Sequence, residues 1–152
     1  MHIRIATEAD LPVLADLYAG SVNAIGPEQY SEAQVASWAS FARKDTFCRF
    51  ILESITYVAE DESGVLGFCG LSDSGHIASL YVRSDCTRQG IGSKLLATAL
   101  DQAVKRGIRI LRSEASEFSY PLFLKFGFIL SGMETVDRNG VIFNRYLVEK
   151  HL

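Results

Sequence analysis

Cysteine is scarce in this chain, and Cys48, Cys69 and Cys86 are odd in number with no C-x-x-C spacing. That argues against a disulfide framework and against a zinc site, and a reducing cytoplasm suits it best. Proline is equally sparse, at Pro12, Pro27 and Pro121, and no repeat, low-complexity tract or linker breaks the sequence. Residues 1–152 are therefore read as a single domain. No apolar run approaches the ~18 residues of a membrane span. The opening Met1–Glu8 also lacks the apolar core of a signal peptide, so neither insertion nor secretion is expected. An excess of positive charge is missing too. Fifteen Lys and Arg face eighteen Asp and Glu, for a net charge of −3. A general grip on nucleic acid is thereby excluded, and any anionic ligand must be held locally.

What is present is the composition of a folded domain, with 48% hydrophobic, 22% charged and 11% aromatic residues. His2–Ala6 alternates as a strand, and Asp10 is placed to cap a helix from Leu11 to about Gly20. Ser31-Glu32-Ala33-Gln34 is a capping box, followed by Val35, Trp38, Ala39 and Ala42 at helical spacing. Ile55–Glu60 and Val65–Leu71 read as a hairpin across Asp61–Gly64, and His76–Val82 follows after the turn Ser72–Gly75. From Gly90 to Gly107, Ile91, Leu95, Leu96, Ala99, Leu100, Ala103 and Val104 recur every three or four residues, which predicts a long amphipathic helix ended by a left-handed Gly107. Ile108–Ser113 is then a strand that this crossover makes parallel to His76–Val82. A short helix at Ser119–Phe126 and a hairpin of Phe128–Val136 with Val141–Val148 close the chain. The expected class is α+β, a mixed, mostly antiparallel sheet of six or seven strands flanked by about four helices.

The segment with most chemical content is Leu80-Tyr81-Val82-Arg83-Ser84-Asp85-Cys86-Thr87-Arg88-Gln89-Gly90-Ile91-Gly92-Ser93-Lys94, where a strand ends and two glycines open the long helix. Amide hydrogens in such a turn have no intrahelical acceptor and lie at the positive end of the helix dipole, so they can hold phosphate oxygens. Arg88 and Lys94 can add charge-assisted contacts. The same glycines can equally serve only to let the chain turn. A Rossmann fingerprint would need a glycine where Leu95 stands, and a Walker A loop would need one five residues before Gly92.

Thr87-Arg88-Gln89-Gly90-Ile91-Gly92 resembles the [QR]-x-x-G-x-[GA] motif of the GNAT superfamily of acyl-CoA-dependent N-acyltransferases, with Thr87 where Gln or Arg is usual. Ser113–Phe128 is similar to the family's N-x-x-A-x-x-F-Y-x-K-x-G-F, and the order of strands and helices matches over nearly the whole chain. The resemblance implies a three-layer fold in which acetyl-CoA, as cosubstrate, lies between splayed parallel fourth and fifth strands, with no metal. It implies that the main chain of Leu80, Tyr81 and Val82 pairs with the pantetheine arm. Arg88, Gln89, Gly90, Ile91, Gly92 and Ser93 would then hold the pyrophosphate. Ser116, at the Asn position of the second motif, either contacts the cofactor or caps a helix.

Acyl transfer to an amine requires a base for the amine, a polarised carbonyl and a leaving thiolate. By position, His76 falls where some family members carry a glutamate base, and imidazole suits that work near neutral pH. The usual acid is a tyrosine where this chain has Phe123, so Tyr120, one turn earlier, is the candidate replacement. Glu114 and Glu117 read as a solvated face. Tyr18, Asn23, Tyr30, Trp38 and Tyr57 are available for an acceptor pocket, and the acidic balance leans slightly toward a cationic amine. The expected activity is acetyl transfer to a primary amine of a small molecule by direct attack. Alternatives are the same chemistry on a protein or peptide amine, a non-catalytic acyl-CoA sensor and a nucleotide-binding module of another kind. A homodimer through an exposed terminal strand is plausible from the pattern of edges.

Overall fold

The computed structural model describes all residues, 1–152, as seven strands and five α-helices. Strands β1 (His2–Ile5), β2 (Ile55–Asp61), β3 (Gly64–Leu71) and β4 (Ile77–Val82) form one antiparallel sheet in that order. A second antiparallel sheet has the order β5 (Ile110–Ala115), β7 (Val141–His151), β6 (Ile129–Arg138). The two meet at a single parallel bridge, His76 with Arg112, where the Arg112 N–H donates to Gly75 O at 2.9 Å and Ser113 Oγ to Ile77 O at 2.7 Å. Beyond it the parallel pairing expected of β4 and β5 ceases, and β5 pairs with β7 instead. The edge of β4 facing β5 is thus left without a ladder partner over most of its length.

Helix α4 (Ile91–Lys105) packs Leu95, Leu96, Ala99 and Ala103, all 0% exposed, onto one face of the sheets, in a core shared with α5 (Tyr120–Lys125). Its amphipathic spacing and the left-handed Gly107 (φ +74°) are as expected. The other face carries α1 (Leu11–Ile25), α2 (Glu32–Ser40) and α3 (Thr46–Leu52) around Leu14, Tyr18, Phe47, Ile51 and Phe68. Three layers result.

Several boundaries differ from the sequence reading for identifiable reasons. Helix α1 runs through the exposed Gly20, because continuing buries Ser21 and Val22, and it stops at Gly26-Pro27. Asp10 makes no side-chain cap on α1; it accepts from the Thr7 amide at 2.8 Å and grips Arg4 with two bonds of 2.8 Å. The Ser31–Gln34 capping box is present, with contacts of 3.1 and 2.9 Å, but α2 gives way to a 3-10 turn at Phe41. Helix α3 was not evident from the sequence. Strand β5 starts two residues later than expected, and β6 and β7 run longer, joined through Asn139 (φ +55°) and Gly140 (φ +88°) in the left-handed turn that a tight hairpin needs.

Candidate active site

At the end of β4 the Arg83 N–H donates to Leu66 O at 2.7 Å, and its guanidinium is held by Asp85 at 2.6 Å. The chain then passes through a 3-10 turn at Ser84–Cys86 and two left-handed residues, Arg88 (φ +63°) and Gly90 (φ +80°), before α4 begins. The first amide there with an acceptor in the protein is that of Lys94, bonded to Gly90 O at 3.0 Å. Those of Gln89, Gly90, Ile91, Gly92 and Ser93 donate to no protein group. A Cβ on Gly90 would meet nothing within 4 Å, so the positive φ favours glycine here and crowding does not. Arg88 and Lys94 are exposed and form no ion pair. Several unpaired donors, a helix N-terminus and two free cations fit a diphosphate.

Beside this turn a cavity of about 470 Å3 runs between the sheets. Of the residues expected to bind cofactor, Leu80, Tyr81, Val82, Gly92 and Ser116 line it; Arg88, Gln89, Gly90, Ile91 and Ser93 belong to the adjoining turn and do not. The Ser116 hydroxyl accepts from the amides of Phe118 and Ser119 at 3.2 and 3.1 Å in the turn that leads into α5, whose N-cap is Ser119.

His76 lines the cavity, and its Nε2 lies 2.9 and 3.0 Å from the two carboxylate oxygens of Glu114. Glu114 sits on β5 just past the parallel bridge, and its hydrogen bond with His76 holds its carboxyl below the usual range against the opposing effect of burial. An ionised carboxylate only accepts, so Nε2 carries hydrogen, and Nδ1 makes no hydrogen bond within the protein. Glu114 is therefore a partly buried partner of His76 and not the solvated face read from the sequence. The two are 38 residues apart, and only the meeting of β4 with β5 joins them.

Tyr120 is not among the lining residues. Its ring lies flat on Tyr146, with centroids 4.0 Å apart and planes inclined by 4°. Phe123, buried at 2% exposure, faces the cavity instead. A phenol does reach this part of the cavity from the connection between α1 and α2: Tyr30 Oη accepts the Glu117 N–H at 2.9 Å, and burial raises its pKa. Nothing local in the sequence marks that pairing across 87 residues.

On the face opposite α4, the cavity is lined by Tyr18, Trp38, Phe41, Tyr81 and Phe143. Trp38 Nε1 donates to Tyr81 Oη at 3.1 Å, and Tyr18 and Tyr81 pack with centroids 4.5 Å apart. Asn23 and Tyr57, also considered for the acceptor pocket, do not line it. Neither do the cysteines. Cys69 is buried, which pushes its thiol up to about 12, and Cys86 is held near Arg83 and Asp85. No group of three or more His, Cys, Asp or Glu side chains is placed to hold a metal ion.

Residues 27–150 match the model of the acetyltransferase (GNAT) domain. No curated protein sequence matches the chain. A GCN5-related N-acetyltransferase from Rhodopseudomonas palustris is 28% identical, with a TM-score of 0.94 over 99% of this chain and 95% of that one. A ribosomal-protein-alanine N-acetyltransferase from Brucella melitensis is 26% identical, with a TM-score of 0.70 over the full length of both. The PaiA N-acetyltransferase of Thermoplasma acidophilum, solved with coenzyme A, shares the fold at 23% identity, with a TM-score of 0.77 over all of both chains. With most of its length in the domain match and its fold shared end to end, this chain belongs to the GNAT family of N-acetyltransferases.

Proposed function

We infer that the protein transfers the acetyl group of acetyl-CoA to the primary amine of a small molecule, by direct attack while both are bound. The observation that carries this is the continuity of the unpaired amides at the α4 N-terminus with a cavity that ends on a histidine–carboxylate pair. Gln89 to Ser93 hold the diphosphate, assisted by Arg88 and Lys94, and the open edge of β4 at Leu80–Val82 receives the pantetheine amides. An N–H of that edge also stabilises the developing oxyanion. Acetyl-CoA supplies the activated acyl group when bound there.

The acceptor amine, ordinarily protonated at pH 7, gives its proton to His76 Nδ1, while Glu114 fixes the ring and stabilises the imidazolium formed. Tyr30, which lines the cavity near the strand-five exit, replaces Tyr120 as the phenol available to the leaving thiolate. An acyl-cysteine route has no support, since neither buried thiol reaches the cavity.

A small acceptor is favoured over a protein terminus because α2 is strapped to β7 across the acceptor side. Gln34 Nε2 donates to Ile142 O at 2.8 Å, and Tyr30 packs on Phe143 with centroids 6.5 Å apart. That leaves a cavity where a peptide would need a groove. The His76–Glu114 pair in turn weighs against a sensor without activity. Neither membrane nor nucleic acid is needed as a partner, and a cytoplasmic enzyme fits this reading, as does a homodimer through the β6 edge. Purified protein with acetyl-CoA should release free thiol with small amines and not with peptides. Tight CoA binding with no turnover on a broad amine panel would support the sensor, and equal binding of adenine nucleotides lacking pantetheine would support a nucleotide module.

A further inference from the structure

The charges that reach the cavity are unevenly matched. Glu114 is engaged with His76, and Arg145 is engaged through Nε and Nη2 with Glu134. Arg138, an exposed residue that also lines the cavity, has no carboxylate partner, and its side chain makes no hydrogen bond. Its guanidinium is held 5.8 Å over the ring of Phe143, at the β6–β7 turn. Phe143 belongs to the aromatic wall that includes Tyr18 and Tyr81, so the guanidinium stands on the acceptor face of the cavity. In a protein of net charge −3, Arg138 is thus the cavity-lining cation without a carboxylate partner.

Ser79, 5% exposed and lining the cavity, has a buried hydroxyl with no hydrogen-bond partner. It lies over Gly70, where a Cβ would come within 2.9 Å of its Oγ. That oxygen is closed off from the cavity and turned toward β3, so its missing partner is a cost borne by the fold and not a contact for the acceptor.

We propose that the acceptor is an amino acid-like molecule, an amine that also bears a carboxylate on an apolar body, with Arg138 binding the carboxylate and the aromatic wall of Trp38, Tyr81 and Phe143 binding the body. The assignment rests on the amine acetylation inferred above and narrows its substrate class. Guanidinium suits the task because its planar fork matches a carboxylate, and stacking on Phe143 pre-orders it. It reverses the cationic preference that net charge alone suggests, since the ligand meets the charges of the cavity and not those of the whole surface.

The test pairs aryl-alkyl and branched-alkyl amines bearing a carboxylate at increasing distance from the nitrogen, each with its carboxamide. In the first arm, thiol release from acetyl-CoA should show kcat/KM higher for carboxylates by about tenfold to a hundredfold, the range of a charge-assisted contact. Arg138→Gln should erase that preference through KM for the amine while leaving KM for acetyl-CoA unchanged, and Arg138→Lys should restore part of it. In the second arm, calorimetric titration of the CoA-loaded protein with the corresponding N-acetyl carboxylates and N-acetyl carboxamides should show the same preference, again lost in Arg138→Gln. Equal handling of carboxylates and carboxamides in both arms, or a preference that survives Arg138→Gln, would overturn the proposal. Absence of turnover with a retained, Arg138-dependent carboxylate preference in the second arm would overturn the catalytic reading and leave the anion site standing. A rise in KM for acetyl-CoA in Arg138→Gln, with no effect on the amine, would assign the arginine to the cofactor instead.

Discussion

A single histidine gains chemical direction here from one carboxylate. With Nε2 turned to Glu114, Nδ1 of His76 has no protein partner, and it is there that the proposed base would take the acceptor's proton. His76→Ala should lower kcat/KM by about 10²–10⁴-fold and remove the fall in rate on the acid side of the pH profile, where wild type loses its base to protonation. Glu114→Gln should keep the fold and the cofactor affinity but lower kcat, because an amide steadies the ring without stabilising its cation. An unaltered pH profile in His76→Ala would make the residue structural. A second pair acts on stability alone. The Asp10 carboxyl is lowered to about 2 by its hydrogen bonds to Arg4, so its contribution is complete above the unfolded carboxylate range near 4 and is lost as pH falls through 2. Asp10→Asn should therefore cost about 1–2 kcal/mol at pH 7, and chemical denaturation should show the two proteins converging as the medium is acidified.

At the level of elements, function depends on how α4 begins. A Glu at Gly90 must adopt the left-handed backbone and places a negative charge before unpaired amides. Gly90→Glu should abolish CoA binding by calorimetry while the far-UV spectrum stays that of wild type. Retained affinity would separate the turn from the cofactor. Helix and turn were legible in the sequence because both are local: 3.6-residue spacing defines the face of α4, and the glycines mark its start and end. Helix α3 was not, since Thr46–Leu52 is only seven residues and is held by contacts of Phe47 and Ile51 with α1 and the sheet. Asp10 likewise carries the letters of a cap, but Arg4 and Thr7 compete for its carboxylate.

Across the whole molecule, two antiparallel sheets touch at one bridge, and the cavity lies along their seam. A ligand that spans the seam should bind the folded state alone and stabilise it by about 2.7 kcal/mol at a hundredfold excess over Kd. For a chain of this length that corresponds to a Tm rise of about 5–10 °C with CoA. Amide exchange should slow along the open edge of β4, and adenine nucleotides without pantetheine should protect the α4 turn but not that edge. Equal protection of β4 by both would remove pantetheine from the seam.

The sequence by itself determined the periodic elements, their order and the glycine turn, because each depends on neighbours within a few residues. It also carried His76 as a candidate, through its position before the turn. Only the tertiary structure decided what His76 meets, that the Tyr120 ring lies against Tyr146, that Tyr30 arrives from another part of the chain, and that an acidic protein turns an unpaired arginine toward its cavity. Those outcomes depend on which strands pair and where the pairing stops. The side chains brought together at such a seam are far apart in sequence, so no local pattern encodes their contact.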